Sequence, residues 1–188
     1  MKTVVLKNLD EIYFTADLHL HHANIIEYCD RPFGSLAEMD RTIISNWNNK
    51  AQHDDWIYIL GDFCWGDRKM WCYFLSQLPG HKILIQGNHD RDKNIPEDKF
   101  VEVIPGFLNL SMKDPEVKGG EQRITLCHYP MLSWYHSHMG AWQLFGHVHG
   151  KLGIRKGQMD VGVDSNDFTP VSYHEVKKFM QKNLDITE

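Results

Sequence analysis

The sequence has no closely spaced pair of cysteines. Its four cysteines are Cys29, Cys64, Cys72 and Cys127, and none belongs to a CxxC motif. Their spacing argues against a zinc knuckle and against a dithiol redox motif. Cysteines of this kind are typical of reduced thiols in a cytosolic protein.

Long apolar runs are also missing. No stretch of the sequence approaches the roughly 20 consecutive apolar residues that a transmembrane helix needs. Residues 1–7 contain only a very short apolar run, whereas the apolar core of a signal peptide has about 7–15 residues. We therefore expect a cytoplasmic protein that has no membrane partner.

Positive charge is scarce, because 20 Lys and Arg residues face 25 Asp and Glu residues and the net charge is -5. This balance argues against a broad basic surface for a nucleic-acid polymer, although a bound metal can still create a local positive site. The 188 residues show no internal repeat, linker or low-complexity tract. We therefore expect a single domain that spans residues 1–188.

What the sequence does contain is a recurring pattern of an apolar run followed by Asp, Asn or His. The clearest example is Gly87-Asn88-His89-Asp90, which follows the apolar run at residues 82–86. Similar runs precede Asp17-Leu18-His19, Gly61-Asp62, Cys127-His128 and Gly146-His147-Val148-His149. Such runs are typical of buried strands, and open α/β folds place their sites at the carboxyl ends of strands. We expect the five segments to converge at one sheet edge as a metal site.

Other patterns predict the remaining elements. Ser35 with Glu38 and Ser172 with Glu175 form capping-box patterns, so helices are expected from these serines to about residues 50 and 183. Further helices are expected at residues 25–28 and 69–77, and a last strand at residues 159–163. Two strands, at residues 100–104 and 107–112, flank Pro105-Gly106 and predict a hairpin.

The ordered motifs resemble those of the calcineurin-like metallophosphoesterases. They are Asp17-x-His19, Gly61-Asp62, Gly87-Asn88-His89-Asp90, His128 and Gly146-His147-x-His149. Each motif is weak by itself, but five in this order, each after an apolar run, are specific. The resemblance implies an α/β fold in which two mixed β-sheets, flanked by α-helices, form a four-layer sandwich.

The resemblance also implies a centre with two divalent metal ions. Two metals need roughly eight protein donors if each keeps room for water or substrate, and seven residues suffice if Asp62 bridges both ions. By resemblance, the first metal binds Asp17, His19, Asp62 and His149, and the second binds Asp62, Asn88, His128 and His147. Mixed nitrogen and oxygen ligation suits Mn, Fe, Co, Ni or Zn better than Ca or Mg, and Mn is favoured.

By resemblance, a hydroxide shared by the two metals attacks phosphorus in line with the leaving group. Asp62 and His89 are the expected catalytic residues, and His89 stabilises the transition state or protonates the leaving oxygen. Many relatives have an Asp that orients this His, but Trp65 occupies the corresponding position here. Three alternatives stay open: Asp67 substitutes for it, Asp90 substitutes for it, or His89 lacks a carboxylate partner.

Substrate contacts are expected from Asn24, Asp90 and Trp134. For several side chains, Trp134 among them, the sequence leaves two interpretations open. Trp65 and Trp134 either stack on a ring of the substrate or cover a core edge. Arg31, Arg68 and Arg91 either clamp a second phosphate or lie on the surface.

These features predict hydrolysis of a small phosphodiester, of nucleotide type, by a monomer or homodimer. The alternative within the enzymes is a phosphomonoesterase acting on a small molecule. A nuclease is less favoured because of the acidic balance, and a non-catalytic binding scaffold is less favoured because the ligand set is complete.

Overall fold

The computed structural model describes residues 3–6 and 8–183 of the chain. In this part of the chain the strands are β1 (Thr3–Leu6), β2 (Ile12–Thr15), β3 (Trp56–Ile59), β4 (His81–Ile85), β5 (Glu102–Ile104), β6 (Phe107–Lys113), β7 (Glu121–Cys127), β8 (Trp142–Phe145), β9 (Gln158–Asp160) and β10 (Val171–Ser172). The α-helices are α1 (Asn24–Tyr28), α2 (Leu36–Lys50), α3 (Arg68–Leu75) and α4 (Tyr173–Lys182). Short 3-10 helices lie at Asp92–Asn94, Glu97–Lys99, Ser137–Met139 and Val163–Ser165.

The strands form two mixed sheets of five strands each. Sheet I has the order β10-β2-β3-β4-β5, and its neighbours are parallel except for β10, which is antiparallel to β2. Sheet II has the order β1-β6-β7-β8-β9, and only β6 and β7 are antiparallel neighbours. The two mixed sheets and their helices confirm the expected α/β fold class.

Successive side chains of a strand point to opposite faces of the sheet, and the apolar side chains on the two faces of sheet I belong to two separate cores. Phe14 and Ile83 of sheet I face Leu126 and Leu144 of sheet II in the core between the sheets, which Val176 of α4 closes. Residues on the other face of sheet I form the second core with α2 and α3. Burial of both faces explains why the strands of sheet I read as continuous apolar runs rather than as alternating ones.

The outer face of sheet II carries a row of buried polar side chains instead. Thr125, Gln143 and Gln158 lie side by side in register across β7, β8 and β9. Gln143 donates to the carbonyl of Tyr129 at 2.9 Å, and Gln158 donates to the carbonyl of Met131 at 2.9 Å. These hydrogen bonds hold the loop after β7 against the outer face of sheet II at Tyr129 and Met131.

The expected hairpin around Pro105-Gly106 is wrong. β5 pairs in parallel with β4 in sheet I, whereas β6 pairs with β1 and β7 in sheet II. The turn therefore carries the chain from one sheet to the other. None of the helices in the described residues is long and apolar enough to cross a membrane.

The closing helix α4 begins at a capping box, since the side chains of Ser172 and Glu175 each accept from the other's backbone N–H. The helix is also tied to the loop after β6. Asp114 is 2% exposed and accepts hydrogen bonds from the Tyr173 hydroxyl at 2.7 Å and from Lys177 Nζ at 2.8 Å. Burial acts to raise the pKa of Asp114, but these hydrogen bonds outweigh burial and hold the pKa below its ordinary value.

We predict that Asp114→Ala lowers the free energy of unfolding by about 2–4 kcal/mol at neutral pH, because it leaves a buried ammonium with one remaining partner. Glu116→Ala is the matched control. Glu116 binds the same Lys177 Nζ at 2.7 Å, but its side chain is 78% exposed, so its loss should cost about 0–1 kcal/mol. Urea unfolding of both variants at pH 7 checks this, and equal losses would contradict it. The contribution is complete above the unfolded-state pKa of Asp and disappears as the pH falls through the lower native pKa.

Candidate metal centre

The five motif segments lie at the carboxyl ends of five strands. Asp17 and His19 follow β2, Asp62 follows β3 and Asn88 follows β4, all in sheet I. In sheet II, His128 follows β7, and His147 with His149 follows β8. The two sheets therefore contribute ligand-type side chains to one shared edge, as expected from the sequence.

Backbone hydrogen bonds hold these loops together beyond the strands. His19 N–H donates to the carbonyl of Asp62 at 2.9 Å, which extends the pairing of β2 with β3. His147 N–H donates to both carboxylate oxygens of Asp17, at 3.0 and 2.8 Å, and so joins the sheets. The geometry of the cluster is consequently fixed by the ladder rather than by the side chains alone.

The backbone of the cluster is strained. Five of the seven ligand candidates have positive φ angles, a region that favours glycine: Asp17, His19, Asp62, His147 and His149. Non-glycine residues in this region are uncommon, and they cluster where a site over-determines the backbone. Strain at five positions in one cluster points to a functional centre.

Two glycines make room for the carboxylates. A Cβ on Gly87 would collide with Oδ1 of Asp62, and a Cβ on Gly146 would collide with Oδ2 of Asp17. Any side chain at either position would displace a carboxylate, which explains the glycine that opens the Gly87-Asn88 and Gly146-His147 motifs.

Asp62 lies between two imidazoles at the centre of the cluster. Its Oδ2 is 3.5 Å from Nε2 of His19 and 3.5 Å from Nε2 of His128. His19 Nε2 is buried and has no hydrogen-bond partner among the described residues. One carboxylate oxygen thus faces ring nitrogens on two sides, each at a distance that leaves space for a cation between the pair.

The hydrogen bond that His128 makes behind the cluster determines its tautomer. Nδ1 of His128 lies 2.7 Å from the carbonyl of Leu60, which can only accept, so Nδ1 carries the proton. Burial lowers the pKa of His128 and favours the neutral ring, whose Nε2 then presents a lone pair. This lone pair points to Asn88 Oδ1 at 2.9 Å as well as to Asp62, and acceptors that converge in this way form a cation site.

The remaining candidates complete the cluster. Asp17, His19 and His149 form one group whose ligand atoms all lie within 4.8 Å of one another, and Asp17, Asp62 and His128 form a second. The ring of His147 is 5.1 Å from that of His128, measured between centroids. The structure therefore brings all seven sequence-predicted ligand residues together.

The charges of the cluster favour a cation. Asp17 is fully buried, and both burial and the nearby carboxylate of Asp62 raise its pKa well above the ordinary value, with partial relief from His147 N–H. Burial likewise lowers the pKa of His19. Two buried carboxylates among neutral imidazoles are costly without a positive charge, and a divalent metal supplies it.

Comparison with known proteins agrees with this geometry. A family model described as calcineurin-like phosphoesterase matches residues 11–165. The chain belongs to the calcineurin-like phosphoesterase family. An uncharacterized protein of Methanocaldococcus jannaschii is 30% identical over 184 residues, which cover 93% of this chain and 94% of that protein. The Gene 66 protein of Mycobacterium phage D29 is 27% identical over an alignment of 189 positions, which covers 87% of this chain and 93% of that protein.

Among solved structures, a protein of unknown function from Aquifex aeolicus matches with a TM-score of 0.67 and 29% identity, covering 89% of this chain and 98% of that one. The expected family is thus confirmed. As a calcineurin-like phosphoesterase, the chain is a metal-dependent phosphoester hydrolase, and the buried, unpartnered Nε2 of His19 fits a metal-ligand role.

His89 lies beside the cluster of this calcineurin-like phosphoesterase. Its ring is exposed and lies 5.5 Å from the ring of His19, and its backbone N–H donates to Asp62 Oδ1 at 2.9 Å. No described carboxylate hydrogen-bonds its ring. Asp67 instead caps α3 by accepting from Met70 N–H. Of the three alternatives for the missing carboxylate, the structure selects the last: the ring of His89 has none.

Trp65 contacts His89 where relatives place the Asp. The two ring centroids are 5.4 Å apart, and the indole stacks on His22 at 4.3 Å with an interplanar angle of 9°. His22 in turn places its Nδ1 3.2 Å from Nδ1 of His19. Aromatic packing therefore replaces a hydrogen-bonded carboxylate around His89.

The structure places the three expected substrate contacts in different surroundings. Asp90 is 6% exposed and accepts backbone N–H bonds from Gly87, Asp62 and Phe63, so it supports the motif loops, and its substrate contact stays a prediction. Trp134 donates to the carbonyl of Ala141 and lines a cavity that contains no cluster residue, and its substrate contact also stays a prediction. Asn24 is exposed at the start of α1, and its role stays a prediction.

A buried ion pair that was not expected from the sequence lies behind His149. Asp164 Oδ2 accepts from His149 Nδ1 at 2.7 Å, and both oxygens of Asp164 bind Arg31, at 2.8 and 2.9 Å. Arg31 is 4% exposed and also donates to the carbonyls of Leu18 and Asp17. It is therefore neither a surface arginine nor a phosphate clamp, but a link between the first motif and Asp164.

This ion pair orients His149. Because Asp164 accepts at Nδ1, the lone pair of Nε2 is free to face the cluster, as in the carboxylate–histidine pairs behind many metal ligands. Burial acts to raise the pKa of Asp164, but the hydrogen bonds from His149 and Arg31 outweigh it, so the pKa lies below its ordinary value. The carboxylate therefore stays ionised behind His149 at neutral pH.

We predict that Asp164→Asn weakens binding of Mn²⁺ by about 10–100-fold, because an amide holds the His149 tautomer less well. Isothermal titration of metal-free protein with Mn²⁺ measures the change directly. The control is Asp167→Asn, an exposed carboxylate three residues further along. Unchanged affinity in Asp164→Asn, with the fold intact by circular dichroism, would contradict the positioning role.

Proposed function

We propose that this calcineurin-like phosphoesterase binds two divalent metal ions and hydrolyses small, nucleotide-type phosphodiesters. The observation that carries the proposal is the position of Asp62 Oδ2, 3.5 Å from a ring nitrogen of His19 on one side and of His128 on the other. A carboxylate placed in this way suits a bridging ligand between two ions.

The proposed ligand sets follow from this bridge. Asp17, His19, Asp62 and His149 would hold the first ion, in agreement with the compact group of Asp17, His19 and His149. Asp62 with Asn88, His128 and His147 would hold the second ion. The donors are imidazole nitrogens and carboxylate or amide oxygens, a mixture that suits Mn, Fe, Co, Ni or Zn, and Mn is favoured.

When bound, two such cations supply Lewis-acid activation of water and of the phosphoryl oxygens. The residues of the protein position the proton donor and supply a proton to the leaving oxygen. Asp62 Oδ1 accepts from the backbone N–H of His89 and so holds the backbone of His89 beside the cluster. From there His89 can donate a proton to the leaving oxygen, which is general acid catalysis.

The flanks of the centre favour a diester over a monoester. Trp65 is 42% exposed and contacts His22 and His89, next to the first ligand set. Tyr129 is 45% exposed and contacts His128 and His147, in the second set. Two half-exposed aromatic rings on different members of the cluster can each receive one substituent of a diester, whereas a monoester has only one.

We predict that bis-p-nitrophenyl phosphate is hydrolysed faster than p-nitrophenyl phosphate in the presence of Mn²⁺, and that a chelator abolishes both reactions. The physical reason is that only the diester fills both aromatic flanks. The kcat/KM values of the two esters, measured side by side, decide the point. A preference for the monoester would make this protein a phosphomonoesterase and overturn the proposal.

We predict that His89→Ala lowers kcat on the diester by about 10²–10⁴-fold while the metal content stays intact, since its ring supplies a proton and no ligand atom. Turnover and bound metal, the latter by mass spectrometry, are measured on the same sample. His53→Ala, an exposed histidine before β3, is the control. Loss of metal together with activity would show that His89 holds a metal or supports a residue that does.

A further inference from the structure

A cavity of about 220 Å³ opens beside His89, outside the ligand cluster. Cys64, Trp65, Gly66, His89, Arg91 and Asn94 line it. None of these side chains is acidic, and none belongs to the proposed ligand sets. The cavity is smaller than the roughly 300–1,000 Å³ of pockets that enclose drug-sized ligands, so it suits one ring system rather than a whole dinucleotide.

The indole of Trp65 lines one side of this cavity and is held in place by its neighbours. Its backbone N–H donates to the carbonyl of Leu20 at 2.8 Å, and the bridge between Leu20 and Cys64 continues the pairing of the first two motif loops. His22 stacks on the indole, yet 42% of Trp65 remains exposed. An indole that is fixed from below and open elsewhere can stack on a planar ligand at a low cost in side-chain entropy.

Arg91 brings an uncompensated positive charge to the same cavity. Its side chain is exposed and makes no hydrogen bond or ion pair with any residue that the structure describes. The neighbouring Arg68, by contrast, binds the carbonyl of Ile95 and the carboxylate of Asp98. Asn94 donates one of its two amide N–H groups to the carbonyl of Gly66, and its side chain carries no charge. The guanidinium of Arg91 is thus the permanently charged group in this wall, and it is free to bind an anion.

The position of His89 indicates which part of a substrate enters the cavity. On the proposed function, His89 protonates the leaving oxygen, so that oxygen must lie next to its ring. As the P–O bond breaks, the leaving oxygen keeps the electron pair and takes the proton from His89, while water provides the oxygen of the new P–O bond. The rest of the leaving group then extends past His89 into the space between Trp65 and Arg91.

We propose that this cavity binds the leaving group and selects an aromatic ring that carries a negative charge. This inference rests on the proposed function, and it names the substrate class of the same site. Trp65 stacks on the ring, and Arg91 pairs with an anionic substituent on it, such as a carboxylate or phosphate.

Two diesters with a constant methyl group test the charge preference. One is methyl 4-carboxyphenyl phosphate, and the other is its neutral match, methyl 4-carbamoylphenyl phosphate. We expect Arg91→Gln to lower the ratio of their kcat/KM values, carboxylate over amide, by about three- to tenfold relative to the Mn²⁺-loaded wild type. Arg41→Gln, on the exposed face of α2, should leave the ratio unchanged. The same ratio in Arg91→Gln and wild type would overturn the assignment of Arg91.

Binding of the products provides a readout that does not depend on turnover. We expect 4-hydroxybenzoate to bind the Mn²⁺-loaded protein several-fold more tightly than 4-hydroxybenzamide, as measured by ligand-observed NMR. Trp65→Leu should weaken both, and Trp65→Phe should restore them in part. Equal binding of the two compounds, in protein that hydrolyses diesters, overturns the cavity assignment alone. A failure of the wild type to hydrolyse any diester overturns the proposed function and this inference with it.

Discussion

The structure depends on holding two carboxylates, Asp17 and Asp62, in a buried position among neutral imidazoles. Burial and mutual repulsion both oppose ionisation of this pair, so the arrangement is costly until cations enter it. The fold resists relaxation of the pair because His147 N–H binds both oxygens of Asp17, and His89 N–H binds Asp62. These hydrogen bonds hold the two carboxylates close together, and a bound cation would relieve their repulsion.

Elements far from the cluster support the same arrangement. Asp90 binds three backbone N–H groups beneath the loops, and the ion pair of Arg31 with Asp164 fixes His149 from behind. The strained φ angles of the ligand residues persist because these contacts over-determine the backbone. These contacts hold the ligand side chains in place through the surrounding protein.

Local sequence patterns predicted the motif strands, the capped helices and the family, because apolar runs and ligand-type residues recur in a fixed order. Contacts between segments that are distant in the sequence could not be predicted from local patterns. The turn at Pro105-Gly106 resembles a hairpin but crosses between sheets, and nothing local distinguishes the two. Arg31 and Asp164 are 133 residues apart, so no local sequence pattern indicates their ion pair. Asp90 and Trp134 carry polar or aromatic groups that suit substrate contact, and the fold uses them for loop support and packing.

The proposed ligand assignment depends on Asp62 bridging two metal ions. Crystals grown with Mn²⁺ and measured at the manganese absorption edge test it most directly. We expect two anomalous peaks about 3.5–4 Å apart, with Asp62 Oδ2 between them, one peak next to His19 and the other next to His128. A single peak, or two peaks that do not share Asp62, would contradict the bridging role.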